Sequence, residues 1–93
     1  MSENIERLIE RAAAVLKAAG AHEVYVFGSA ATERMRSDSD VDFAVSGLPP
    51  GVFFRAMSDA ESALGLPLDL IDLDEDSPFT RYLKSEGELR RVG

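Results

Sequence analysis

The chain has no cysteine and a single histidine, His22, among its 93 residues. Without cysteine there is no disulfide framework, no thiolate nucleophile and no cysteine-ligated zinc or iron–sulfur centre, and nothing points to an oxidising compartment. A cytoplasmic location is the expectation. His22 precedes the first expected strand, which gives a histidine-based triad with Ser29 little support. Positive charge is also scarce: ten Lys and Arg face seventeen Asp and Glu, for a net charge of −7. Such a chain repels phosphate backbones, which excludes general nucleic-acid and anionic-membrane binding, and any phosphate it handles must be neutralised locally. Long apolar runs are missing as well. None approaches the roughly 18 residues of a membrane span, so neither a span nor a signal peptide is expected.

What is present is an ordinary globular composition, 45% apolar and 29% charged, in a length that predicts one domain over residues 1–93. A domain this short has a thin core, so association with itself or with a second chain is expected to help it.

Ile5, Leu8, Ile9, Ala12, Val15, Leu16 and Ala19 recur at three- and four-residue steps, which predicts an amphipathic helix over 2–19, capped by Ser2 and closed by Gly20. Glu23–Phe27 is short and β-prone and reads as a strand. Residues 29–35 suit about two helical turns. Asp40–Ser46 alternates acidic or small residues with Val41, Phe43 and Val45, a second strand. Residues 52–64 carry Phe53, Met57, Ala60 and Leu64 on one stripe, a helix closed by Gly65, and 66–73 supply a third strand. Ser77 caps a last helix that begins at Pro78. The order αβαβαβα predicts an α/β (α+β) fold with a small three-stranded mixed sheet flanked by helices. Ten residues between Ser29 and Asp40 are short for a parallel crossover, so the first two strands should be antiparallel. The longer link to the third strand permits a right-handed parallel crossover. The end of strand one and the starts of strands two and three then share one edge.

That edge gathers the chemistry. Gly28-Ser29 follows the first strand and opens a short helix, where free N–H groups and a bare Cα can hold an anion. Asp40 and Asp42 lie two apart on a strand, sharing a face with Cα atoms about 6.6 Å apart. Two-metal phosphoryl chemistry needs such a pair plus a third acid, and Asp69, near the start of the third strand, is the candidate. Asp72 has the opposite parity and Asp74 lies at the far end. Uncompensated, carboxylates 4 Å apart repel by up to about 4 kcal/mol per pair at an effective dielectric of about 20. Two magnesium ions, or manganese, resolve that with oxygen ligands. In such a site one ion activates the attacking oxygen and the other sits on the leaving phosphate.

Gly28-Ser29, ten residues, then Asp40-Val41-Asp42, with Ser39 before the pair and Leu68-Asp69-Leu70 after it, resembles the signature of the polymerase-β-type nucleotidyltransferase superfamily over nearly the whole chain. Tyr82-Leu83-Lys84-Ser85-Glu86-Gly87 resembles the closing helix of its stand-alone minimal members, antitoxins paired with HEPN-domain ribonuclease toxins. The resemblance implies transfer of AMP from ATP to a tyrosine of the toxin. In that scheme Asp40, Asp42 and Asp69 are catalytic and hold magnesium, and Gly28, Ser29 and the commonly basic position Arg36 bind the nucleotide. Where many minimal members carry arginines after Gly-Ser, this chain has Ala30, Ala31 and Thr32. Two other readings stand beside this one: an antitoxin that neutralises by binding alone, and a nucleotidyltransferase subunit with another acceptor.

The run Asp72, Asp74, Glu75, Asp76 reads as solvated charge, because Ser77 and Leu83 stand where a calcium loop needs glycine and glutamate. Arg90-Arg91 also reads as solvated. Phe53, Phe54, Met57 and Phe79 are expected in the core, any exposed subset marking a partner surface. Tyr82 is left open between core, interface and an acceptor in its own right.

Overall fold

A computed structural model describes residues 5–28, 40–87 and 89–92. Helix α1 (Ile5–Ala18) is followed by β1 (Glu23–Phe27), β2 (Val41–Ser46), a short 3-10 turn (Pro50–Val52), α2 (Phe53–Leu64), β3 (Leu68–Asp72), α3 (Pro78–Ser85) and β4 (Arg90–Arg91). The expected short helix over 29–35, with Ser29, Arg36 and the cap residue Ser2, lies outside the described residues.

The sheet has the order β3-β2-β1-β4. Strands β1 and β2 are antiparallel, with Phe27 opposite Asp42. Strands β2 and β3 are parallel, with Asp42 opposite Asp69. Both directions agree with the link lengths. The three-stranded expectation is corrected to four: Arg90 and Arg91 pair with Val26 and Tyr25 on β1. Two arginines carry no β-signal, and the pairing depends on the chain returning to an open edge. There Arg90 grips Glu6 of α1 at 2.7 and 3.1 Å, and the Val92 N–H donates to the Val24 carbonyl at 2.9 Å.

Period-two alternation divides the sheet's two faces. Val24, Val26, Val41, Phe43, Val45, Leu68 and Leu70 pack with Ile9, Ala12, Ala13 and Leu16 of α1 and Ala56, Ala60 and Leu64 of α2 in the main core. The largest fully buried side chain is Phe43, a burial that contributes about 1.5–3 kcal/mol. The opposite face has a smaller core, Ala44, Leu73 and Leu83 with Tyr25, Phe27, Ile71 and Leu89 packed around them. Helix α3 reaches this face through Leu83. Its start is fixed by a reciprocal cap, in which the Thr80 N–H donates to Ser77 Oγ and the Ser77 N–H to Thr80 Oγ1. Gly65 closes α2 at φ 77°, a conformation glycine adopts without a Cβ penalty.

Candidate active site

Asp40 immediately precedes β2 and Asp42 is its second residue, so both fall on the face that Ala44 shares with α3, away from the main core. Asp69 is the second residue of β3 and stands beside Asp42 in parallel register, at a strand spacing of about 4.8 Å. The Val41 N–H donates to the Pro67 carbonyl at 2.9 Å, and Glu61 of α2 accepts from the Leu68 N–H at 3.1 Å. The first bond fixes the starts of the two strands against each other, and the second ties the start of β3 to α2. Asp40 and Asp69 are exposed, and Asp42 is half-buried.

The electrostatics register this convergence. Burial pushes the Asp42 carboxyl above its ordinary value, and the negative charges of Asp69 and then Asp40 push it further. Desolvation and like charge both disfavour the ionised form, so the edge calls for positive charge. At the end of β1, Gly28 has φ 68°, and a Cβ built on it would lie 2.8 Å from Asp42 Oδ2. Glycine here meets two demands at once: a left-handed backbone that costs other residues about 1–2 kcal/mol, and room for the carboxylate beside it.

Carboxylate oxygens suit a hard divalent cation, and the raised Asp42 supplies a reason to bind one. The donor set of Asp40, Asp42 and Asp69 therefore fits magnesium in its chemistry. Among the described residues, no group of three or more acidic or histidine side chains is already gathered as a metal cage. Closing the set falls to the exposed Asp40 and Asp69 side chains.

The other acids serve differently. Asp72 lies opposite Val45 and accepts from the Asp74 N–H at 2.9 Å. Asp74, at the far end of the sheet, accepts from the Gly47 N–H at 2.6 Å and from Ser46 Oγ at 3.0 Å. Those two bonds hold its carboxyl below the ordinary value. Asp76 pairs with Arg81 at 2.7 and 3.0 Å. This acidic run closes turns and caps.

The sequence pattern predicts Phe54 and Phe79 in the core and leaves Tyr82 open. The structure leaves Phe79 and Tyr82 49% and 54% exposed, with Phe54 at 75%. Phe27, Phe79 and Tyr82 line a cavity of about 460 Å³ that opens on Gly28. A second cavity of about 370 Å³ runs between the start of α2, β3 and α3, with Phe53, Phe54 and Phe79 in its wall. The legible signal was the parity of Phe27, which shares a face with Tyr25 and lies opposite Asp42.

A family profile described as "Polymerase beta, Nucleotidyltransferase" matches residues 4–89. The chain belongs to the polymerase-β-type nucleotidyltransferases. No curated protein matches it in sequence. Among solved structures, one assigned as a minimal nucleotidyltransferase is 29% identical over 91% of this chain and 94% of its own, with a TM-score of 0.71. A toxin–antitoxin crystal structure with AMP-PNP is 22% identical over 95% and 72%, with a TM-score of 0.71. A complex of a tri-AMPylated Shewanella oneidensis HEPN toxin with its MNT antitoxin is 18% identical over 97% and 72%, with a TM-score of 0.70. These last two likenesses establish a shared nucleotidyltransferase fold. Among the described residues of this chain, no helix is long and apolar enough to cross a membrane.

Proposed function

We propose that this chain, over residues 1–93, is a metal-dependent nucleotidyltransferase that moves AMP from ATP to a tyrosine of a partner HEPN toxin and so acts as its antitoxin. One observation carries the reading: Asp42 lies in register with Asp69, feels the charge of Asp40, and touches the space above Gly28. The acid trio and the glycine corner therefore form one site. Asp40, Asp42 and Asp69 hold the metal, and Gly28, Ser29 and Arg36 receive the phosphates. Bound magnesium supplies positive charge for the carboxylates and the phosphate oxygens.

Within that site the tyrosine hydroxyl attacks the α-phosphorus. The new O–P bond forms as the bond from that phosphorus to the β-phosphate oxygen breaks, pyrophosphate departs, and the hydroxyl proton passes to Asp69. Gly28 keeps the approach to the backbone open, and the fixed strand starts hold the carboxylates in place, so positioning and charge stabilisation provide most of the acceleration. The HEPN partner is supported by the fold shared with the complexes described above. The exposed Phe54 beside the second cavity is the apolar surface assigned to that partner.

Incubation with labelled ATP, magnesium and the co-encoded HEPN protein should label the partner on tyrosine. Labelling that persists in an Asp40→Ala, Asp42→Ala double variant refutes the assignment. Because Ala30, Ala31 and Thr32 stand where many minimal members carry arginines, neutralisation by binding alone is the second reading. It predicts that the double variant still neutralises the toxin at stoichiometric amounts, without ATP.

A further inference from the structure

We propose that the cavity opening on Gly28 is the nucleoside subsite, taking an amino-bearing base of the adenine type against the rings of Phe79 and Tyr82, with Glu86 accepting from the exocyclic amine. The proposal rests on the nucleotide-transfer reading above and adds where the base lies and what selects it.

Position is the first argument. Gly28 belongs to the cavity wall, and a Cβ at Gly28 would lie 2.8 Å from Asp42 Oδ2. The cavity and the carboxylates are thus two sides of one residue, and a nucleotide with its phosphates at the carboxylates has its nucleoside next door. The volume, about 460 Å³, falls within the roughly 300–1,000 Å³ of small-ligand pockets.

The lining chemistry is the second argument. Phe79 and Tyr82 leave about half of their surfaces in water, 49% and 54%, although both belong to a helix anchored on the sheet through Leu83. Phe79 is held edge-on to Phe27, with centroids 6.2 Å apart and an interplanar angle of 65°. A ring braced on one side and bare on the other is a stacking platform. Among the described residues lining the cavity, Glu86 is the one charged side chain. A carboxylate accepts hydrogen bonds and donates none, so it attracts an amine and repels a carbonyl at the same place on the base.

Calorimetric titration of the full chain with magnesium and, in turn, ATP, ITP and inorganic triphosphate tests this directly. ATP should bind at least about tenfold tighter than inorganic triphosphate, the scale of one stacked base. Phe79→Ala should weaken ATP binding by about tenfold and leave triphosphate binding unchanged, while Phe79→Trp keeps ATP binding at the parent's level and shows that the ring matters. ATP should also exceed ITP by about tenfold, the scale of a hydrogen bond to a charged group, and Glu86→Gln should reduce that preference to about twofold. Equal affinity of ATP and triphosphate, or a Phe79→Ala loss shared by both, overturns the subsite and leaves the nucleotide reading standing. Failure of all three ligands to bind overturns both.

Discussion

Asp42 and Asp74 sit near opposite ends of the same sheet, and their surroundings drive their carboxyls in opposite directions. Asp74 is met by the Gly47 amide and the Ser46 hydroxyl and is held low. Asp42 is half-buried, faces two other acids and is pushed up. One end of the sheet has its negative charge satisfied by the fold. At the other, every influence on Asp42 from the described residues raises its carboxyl. A chain of net charge −7 had ample acid to place anywhere, so satisfaction rather than abundance separates a structural carboxylate from a functional one.

The largest effect should separate the two ends by activity. Asp42→Asn keeps the shape and removes the charge, and transfer of AMP to the partner should fall by at least about a thousandfold. Asp74→Asn should stay within about threefold of the parent in the same labelling assay. Comparable losses in both would erase the distinction.

Next in size is the glycine corner. Gly28→Ala forces a residue with a Cβ into a left-handed backbone, at about 1–2 kcal/mol, and sets that Cβ against Asp42 Oδ2. Denaturant unfolding should show that loss. Activity should drop by about 10- to 100-fold as the carboxylate swings aside, which isolates the corner's role from stability alone.

The smallest effect belongs to the far end. Asp74→Ala removes two hydrogen bonds, but the side chain is exposed, so the loss should be about 1 kcal/mol or less in thermal or denaturant unfolding at neutral pH. The folded carboxyl lies below its unfolded value of 3.8. Its contribution is therefore fully present above that value and disappears as pH falls through the folded value. Parent and variant should converge in stability in acid, and a gap that widens there would contradict the clamp.

Much of this organisation can be read from the sequence. Glu23–Phe27 is a strand because four β-prone residues stand in a row, and Ser77 before Pro78 marks a helix start without ambiguity. Link lengths favour the antiparallel pairing and permit the parallel one, and parity alone puts Asp40 and Asp42 on one face. The fourth strand escapes such reasoning because Arg90 and Arg91 pair through a tail contact with β1 and Glu6, with no local propensity to announce it. The Asp74 clamp escapes it too, since its partners are 27 and 28 residues away and the acidic run looks like solvated surface. Phe79 and Tyr82 fit a helical apolar stripe, yet α3 buries mainly Leu83 and Thr80. An eight-residue helix covers only part of the sheet face, and the rings beyond that cover remain open. Ser29 and Arg36 fall outside the described residues; the proposed role of Ser29 rests on the sequence pattern and the resemblance, and that of Arg36 on the resemblance.

The central claim is that the Asp40, Asp42 and Asp69 edge gathers negative charge that a bound cation offsets, and thermal unfolding with and without magnesium tests it most directly. Without magnesium, Asp42→Asn should unfold at a higher temperature than the parent, by a few degrees for up to roughly 1 kcal/mol. Magnesium at tenfold over its dissociation constant should stabilise the parent by about 1.4 kcal/mol and the variant far less. A variant less stable than the parent, or magnesium shifting both proteins equally or neither, would contradict the account.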